Sequence, residues 1–213
     1  MITLLTQGQY GVFVMVLFAL ILSLSFHEYG HAITAYKFGD DTAKRAGRLT
    51  LNPIAHLDPM GLMMVIFIGF GFAKPVPVDF RKLNSFWGNL FVAAAGPAMN
   101  LLVATVVINL YAYGVAQHWS LFMTESAEFF FSYLALINIL LMIFNLLPIG
   151  ALDGHHILPY FLPKKLSRAY VLFNEKYGNF FLLALVAASL MGIKIFEHLW
   201  VFGQVVLNWV IFV

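Results

Sequence analysis

The chain has 213 residues, of which 62% are hydrophobic and only 10% charged, with a mean hydropathy of +0.86. Those values lie outside the range of water-soluble domains and describe an integral membrane protein. The absence of cysteine excludes disulfides, thiolate metal sites and thiol catalysis, and a net charge of +2 is too small to suggest a nucleic-acid partner.

The first apolar segment runs from about Tyr10 towards Phe38, with no proline inside it and Gly39-Asp40-Asp41 as the first stop signal. Residues 1 to 9 carry no Lys or Arg and no small-residue cleavage site follows, so the segment is predicted as a membrane span rather than a secretory signal. Gly47 to Pro53 and Lys74 to Phe80 read as short extended segments, the second with prolines that suit only a sheet edge. Between them, Met60 to Ala73 is apolar but short for a crossing, and is predicted to dip into the bilayer and return. Further spans are predicted at Phe86 to Val115 and Ala127 to Ile149. The stretch from Phe180 to Val213 is long enough for two passes broken near Lys194 to His198, or for one pass and an interfacial helix. The expected fold class is therefore an all-α polytopic membrane protein, a single domain over residues 1–213. It would have about five transmembrane helices, with four or six as alternatives, plus a re-entrant segment and short membrane-associated β elements.

Cations orient this arrangement. Seven Lys and Arg lie between Lys37 and Lys82 and four more between Lys164 and Lys176, whereas residues 1 to 9 and the loop from Gln117 to Ser126 have none. The positive-inside tendency then places the N-terminus outside and the connectors on either side of Phe86 to Ile149 in the cytoplasm. With no organelle-targeting segment, a prokaryotic cytoplasmic membrane is expected.

The chemistry starts at Phe26-His27-Glu28-Tyr29-Gly30-His31, inside the first span. His27 and His31, four residues apart, project from one helical face and reach a common metal, with Glu28 beside them. Three ionisable groups in one turn at membrane depth cost roughly 3 kcal/mol each or more, which argues for a compensated site. A third ligand should come from another segment at similar depth, and Asp153 in "NLLPIGALDGHHILP" is the candidate, because its span runs parallel to the first. Pro148, Gly150 and Gly154 break the helix around it, and irregular backbone at that depth is tolerated only where protein or a wet cavity surrounds it.

The His-Glu-x-x-His motif, "NPIAHLDPMG" after it, "AAAGPAMN" in the next helix and "NLLPIGALDG" in the following one together resemble the site-2 protease family of intramembrane zinc metalloproteases. The likeness covers about residues 20 to 160 and belongs to the compact branch without PDZ or CBS domains. It implies one Zn2+ per chain held by His27, His31 and Asp153, with Glu28 as catalytic base. It also implies a substrate-positioning or site-supporting role for Asn145, a transmembrane protein substrate embedded in the lipid bilayer, and cleavage near the cytoplasmic side. His155 and His156 depart from the pattern, where many relatives have glycine and arginine.

Weaker features stay open. His56 either donates to a developing oxyanion or is a loop histidine fixed by the turn at Asp58-Pro59. Asn100 either bonds across helices or, by default, packs with the small residues Ala93 to Gly96, and His118 and His198 are placed in loops without a role. A metal transporter and a non-catalytic helix-binding scaffold are the rival classes. The first predicts function without Glu28, and the second has no need of a base. Gly47 to Pro53 is expected to clamp unwound substrate by strand addition.

Overall fold

A computed structural model describes residues 1–69 and 71–213; residue 70, within the predicted Met60 to Ala73 segment, lies outside the described residues. A short helix, α1 (Ile2–Thr6), leads into α2 (Tyr10–Lys37), whose apolar run continues unbroken through the His-Glu-x-x-His motif. α2 ends at Gly39, whose φ of +100° is open to glycine at no steric cost, and the Asp40 amide folds back onto Ala35 O at 3.0 Å.

After α3 (Thr42–Arg45), α4 (Pro59–Ile68) starts at Asp58, whose carboxylate accepts from the Gly61 amide at 2.9 Å. Gly69, at φ +85°, closes α4. The returning chain then presses backbone to backbone on the helix start, since a Cβ on Gly61 would fall 1.9 Å from Phe72 O and one on Gly71 2.2 Å from Gly61 O. By Lys74 it is back where it began, its amide donating to His56 O at 2.9 Å.

The remaining helices are α5 (Gly88–Ala116), α6 (Glu125–Asn145), α7 (Gly154–Ile157), α8 (Lys164–Phe173), α9 (Asn179–Leu190) and α10 (Ile195–Trp209). A single π-helical turn, Asn174–Gly178, joins α8 to α9. α2, α5 and α6 are long and apolar enough to cross a membrane. The α8–α9 unit and α10 are bent by 93° at their junction and make a fourth crossing only if taken together. The helices thus supply three to four candidate spans among the described residues, which includes the alternative of four but not the five expected, because the C-terminal apolar stretch is bent at a right angle.

α2, α5 and α6 pack against one another through small buried residues, among them Ala19, Ala32 and Ala35 on α2, Ala93, Gly96 and Ala104 on α5, and Ala135 on α6. Within lipid there is no hydrophobic drive between helices, so this close approach and the polar bonds it permits carry the association. α10 closes the bundle through Leu207, which joins Ile108 and Ile139. The Asn109 amide ties down the following tail, donating to Val210 O at 2.6 Å and accepting from Phe212 N at 2.7 Å.

The expected β elements do not form among the described residues. Beyond the Lys74 amide, side chains and not a neighbouring strand engage the backbone of Lys74 to Phe80. Arg48 donates to Lys74 O and Pro75 O at 2.5 and 3.2 Å, Val76 N donates to Glu28, and Asp79 N donates to Asp40. Thr50 O, in the other extended segment, is engaged by His56 Nε2 at 2.8 Å. The strand-addition clamp expected at Gly47 to Pro53 therefore has no preformed sheet to build on.

Outside the spans, Asp40 anchors these connectors. Burial alone would raise its carboxyl pKa, but the Thr42 hydroxyl and amide, the Asp79 amide and nearby Lys82 outweigh that and hold it below the usual carboxylate range.

Candidate metal centre

The helical spacing of His27 and His31 brings their Nε2 atoms to 3.1 Å, with the ring planes nearly perpendicular. Asp153, delivered by the irregular segment after α6, places Oδ2 3.2 Å from His27 Nε2 and Oδ1 3.4 Å from His31 Nε2. One ligand atom from each of the three residues lies within 4.8 Å of the others.

The protons in this cluster follow from its outer contacts. Asn100 Nδ2 donates to the backbone carbonyl of Ser23 at 3.2 Å and to Asn138 Oδ1 at 2.8 Å, so its Oδ1 is the acceptor facing His27 Nδ1 at 2.7 Å. Asn138 Nδ2 is fixed in turn by Leu134 O and Ser23 Oγ, both at 2.8 Å, and Ser23 Oγ donates to Ala19 O at 2.7 Å. His31 Nδ1 faces Val92 O at 2.7 Å. Since carbonyls only accept, both Nδ1 atoms carry the proton, which leaves each Nε2 of a neutral imidazole free to present its lone pair to a metal. Asp153 Oδ2 is buried beside them without a hydrogen bond.

Two imidazole nitrogens and a carboxylate thus converge on one point, a donor set that suits a bound cation. Four-coordinate zinc with bonds of roughly 2.0–2.1 Å sets its ligand atoms about 3.3 Å apart, close to the observed separations. Three nitrogen and oxygen ligands with a fourth position left over is the donor set of a catalytic zinc site, so the residues fit the metal.

Glycine makes room for it. A Cβ on Gly96 of α5 would lie 2.3 Å from His31 Nε2 and 2.6 Å from His27 Cε1, and one on Gly30 would meet Ala95 O at 2.7 Å. At the third ligand, a Cβ on Gly154 would strike Leu146 O at 2.2 Å, so this glycine lets the chain after Asp153 lie against the end of α6.

Glu28 is buried, and its Oε2 accepts the Val76 amide at 2.9 Å from the segment returning from α4. His56 is buried, with Nε2 donating to Thr50 O and Nδ1 3.5 Å from the Arg48 guanidinium, so its ring bonds hold the loop. Asn145 sits in the last turn of α6, where its amide donates to Leu141 O at 3.0 Å within the same helix. His155 and His156 stack edge to face with centroids 3.9 Å apart, and His156 rests on Phe80. His118 lies in a loop as expected, but His198 falls in the first turn of α10.

The sequence reading brought His27, Glu28, His31 and Asp153 to one place but missed Ser23, Asn138 and the Val76 amide. It gave Gly96 only a packing role, and Asn100 a packing role by default with a bond across helices as the alternative, which is the one the structure shows. The available signal was two amides, Asn100 and Asn138, deep in apolar runs where an unpaired polar group is costly.

Residues 15–189 match Peptidase family M50. Among curated proteins, "Putative zinc metalloprotease YwhC" of Bacillus subtilis is 42% identical over 178 residues, covering 80% of this chain and 79% of its own. "Putative zinc metalloprotease Rip2" of Mycolicibacterium smegmatis is 34% identical over 170 residues, 75% of this chain and 61% of that protein. The protein of the same name in Mycobacterium tuberculosis is 32% identical over 202 residues, 92% of this chain and 73% of its own. No solved structure matches the chain. With a family match across most of its length and a centre built of nitrogen and oxygen donors, the chain belongs to peptidase family M50, the family of the site-2 zinc metalloproteases.

Proposed function

We propose that this peptidase hydrolyses peptide bonds of transmembrane or membrane-associated proteins near the cytoplasmic face of a prokaryotic membrane, as in regulated intramembrane proteolysis. His27, His31 and Asp153 are the zinc ligands and Glu28 the general base in this reading. The observation that carries it is the convergence of three potential ligand atoms, with the buried Glu28 beside His27 in sequence, among helices long enough to span a bilayer. The cation distribution supports an N-terminus outside and a centre towards the cytoplasm.

Zinc held there supplies Lewis acidity towards a scissile carbonyl and lowers the pKa of water. Glu28 accepts the proton from the attacking water and returns it to the leaving amine. The Val76 amide fixes one oxygen of that carboxylate, while Asn100 and the Val92 carbonyl hold the imidazoles in the tautomer that ligates. Asn145, at the end of α6 and eight residues before Asp153, is the proposed support for a substrate carbonyl, and His56 the anchor of the loop over Glu28.

The test is cleavage of a panel of single-span substrates by purified protein in detergent, comparing wild type with Glu28→Gln while zinc content is quantified. A loss of about 10²–10⁴-fold with zinc retained is expected. Undiminished cleavage by Glu28→Gln would remove the base assignment, and a wild type that binds zinc but cuts nothing would return weight to the transporter and scaffold readings.

A further inference from the structure

The helix that follows the metal cluster contributes no ligand to it, yet it grips the loop that delivers the third one. Asn174 opens the π-helical turn between α8 and α9 and is 6% exposed. Its Oδ1 accepts the Gly150 amide at 2.9 Å and its Nδ2 donates to the Gly150 carbonyl at 3.0 Å, so one side chain satisfies both polar groups of one residue. Four residues earlier, the Tyr170 hydroxyl donates to Pro148 O at 2.8 Å.

The loop has little else to hold it in place. Between the end of α6 and Asp153, its own backbone bonds among the described residues are short-range, such as Ile149 N to Leu147 O and a long 3.4 Å contact from Leu152 N to Ile149 O. Gly150 adopts φ +60° with Leu182 and Asn179 of α9 directly against it. Gly178, one turn after Asn174, has no space for a side chain, since a Cβ there would fall 2.2 Å from Asn174 Oδ1 and 2.9 Å from Gly150 N. The extra residue of a π turn re-aims side chains relative to a regular helix, and such turns recur at functional sites.

We propose that Asn174 is a positioning residue for Asp153: by clamping the Gly150 backbone from a helix outside the metal cluster, it sets where the third ligand stands relative to His27 and His31. Tyr170 is the lesser second point of the same clamp. The inference rests on the reading of His27, His31 and Asp153 as the zinc ligands.

The experiment measures zinc affinity of the purified full-length chain in detergent by competition with a chromophoric chelator, alongside thermal melting of the metal-free form. Asn174→Leu is compared with Asn109→Leu, which removes a similar amide clamp on irregular backbone, the one holding Val210 and Phe212. Asn174→Leu is expected to weaken zinc binding about 10–100-fold, and Asn109→Leu to lower the melting temperature with zinc affinity unchanged. Cleavage by Asn174→Leu should recover as zinc is raised to saturation. Tyr170→Phe, which removes a single bond, should shift affinity in the same direction by a smaller factor, and serves where Asn174→Leu does not fold. Wild-type affinity in both clamp variants, or equal weakening in Asn174→Leu and Asn109→Leu, overturns the proposal. A His31→Ala arm separates the two claims, because unchanged zinc binding there refutes the ligand reading itself.

Discussion

Gly96→Ala is the sharpest single perturbation of the centre, because it adds one methyl group and removes nothing. The new Cβ would stand 2.3 Å from His31 Nε2 and 2.6 Å from the Cε1 atoms of both His27 and His31. Restoring ordinary contact at 3.4 Å requires a displacement of about 1.1 Å, several times the ~0.2 Å within which metal–ligand distances are held. Neither ring can turn aside without losing its outer bond, His27 to Asn100 and His31 to Val92 O, both 2.7 Å long. Either the imidazoles leave the metal or α5 moves away from α2. Zinc affinity should therefore fall by at least ~100-fold, equivalent to about 2.7 kcal/mol, with cleavage falling alongside it. Chelator competition reads the affinity, and melting of the metal-free protein shows whether the helix pair has moved. Wild-type affinity together with wild-type cleavage in Gly96→Ala would refute the placement of α5 over the two histidines.

Asn100→Leu should leave His27 Nδ1, Ser23 O and Asn138 short of a buried partner, destabilising the chain by about 1–3 kcal/mol and weakening zinc about 10–100-fold. Melting and chelator competition check the two effects separately, and a change in melting alone would reduce Asn100 to packing. Asp40 gives a pH signature outside the spans. Because its folded pKa lies below the ordinary 3.8, its stabilisation is present in full above about pH 4 and is lost as pH falls through the folded value. Asp40→Asn should thus cost about 1–3 kcal/mol near neutral pH and approach wild type in strongly acidic buffer, as followed by melting across the pH range. A pH-independent difference between the two proteins would show that charge is not what Asp40 contributes.

What the sequence disclosed and what it withheld divide along physical lines. His27, Glu28 and His31 were legible because one turn of helix fixes their relation regardless of the rest of the chain. Asp153 was reachable because helix polarity and the cation bias put the ends of two parallel spans at the same depth. The three main spans shifted by only a few residues at their ends, since a long apolar run leaves a helix little choice. The extended segments failed as strands because their partners, Arg48, Glu28, Asp40 and His56, come from distant positions and are side chains, which no alternation pattern announces. The right angle before α10 falls at the break foreseen near Lys194 to His198, and apolar length alone could not choose between two passes and one pass with an interfacial helix. The Asn174 clamp was invisible because its recognition of Gly150 depends on a π turn, and nothing in Asn-Glu-Lys-Tyr-Gly distinguishes that from a regular one.

Val76 stands between Pro75 and Pro77, neither of which has an N–H to offer. Sliding the returning segment by one residue in either direction would therefore bring a proline against Glu28 and leave its Oε2 unanswered, with no compensating bond from the neighbour. The segment has one register in which the carboxylate is held and adjacent registers that are silent. With that oxygen anchored, the carboxyl group is held in one orientation, and Oε1 is the oxygen not engaged by Val76. Two prolines thus convert a flexible strip of backbone into a setting that fixes how the Glu28 carboxylate is turned.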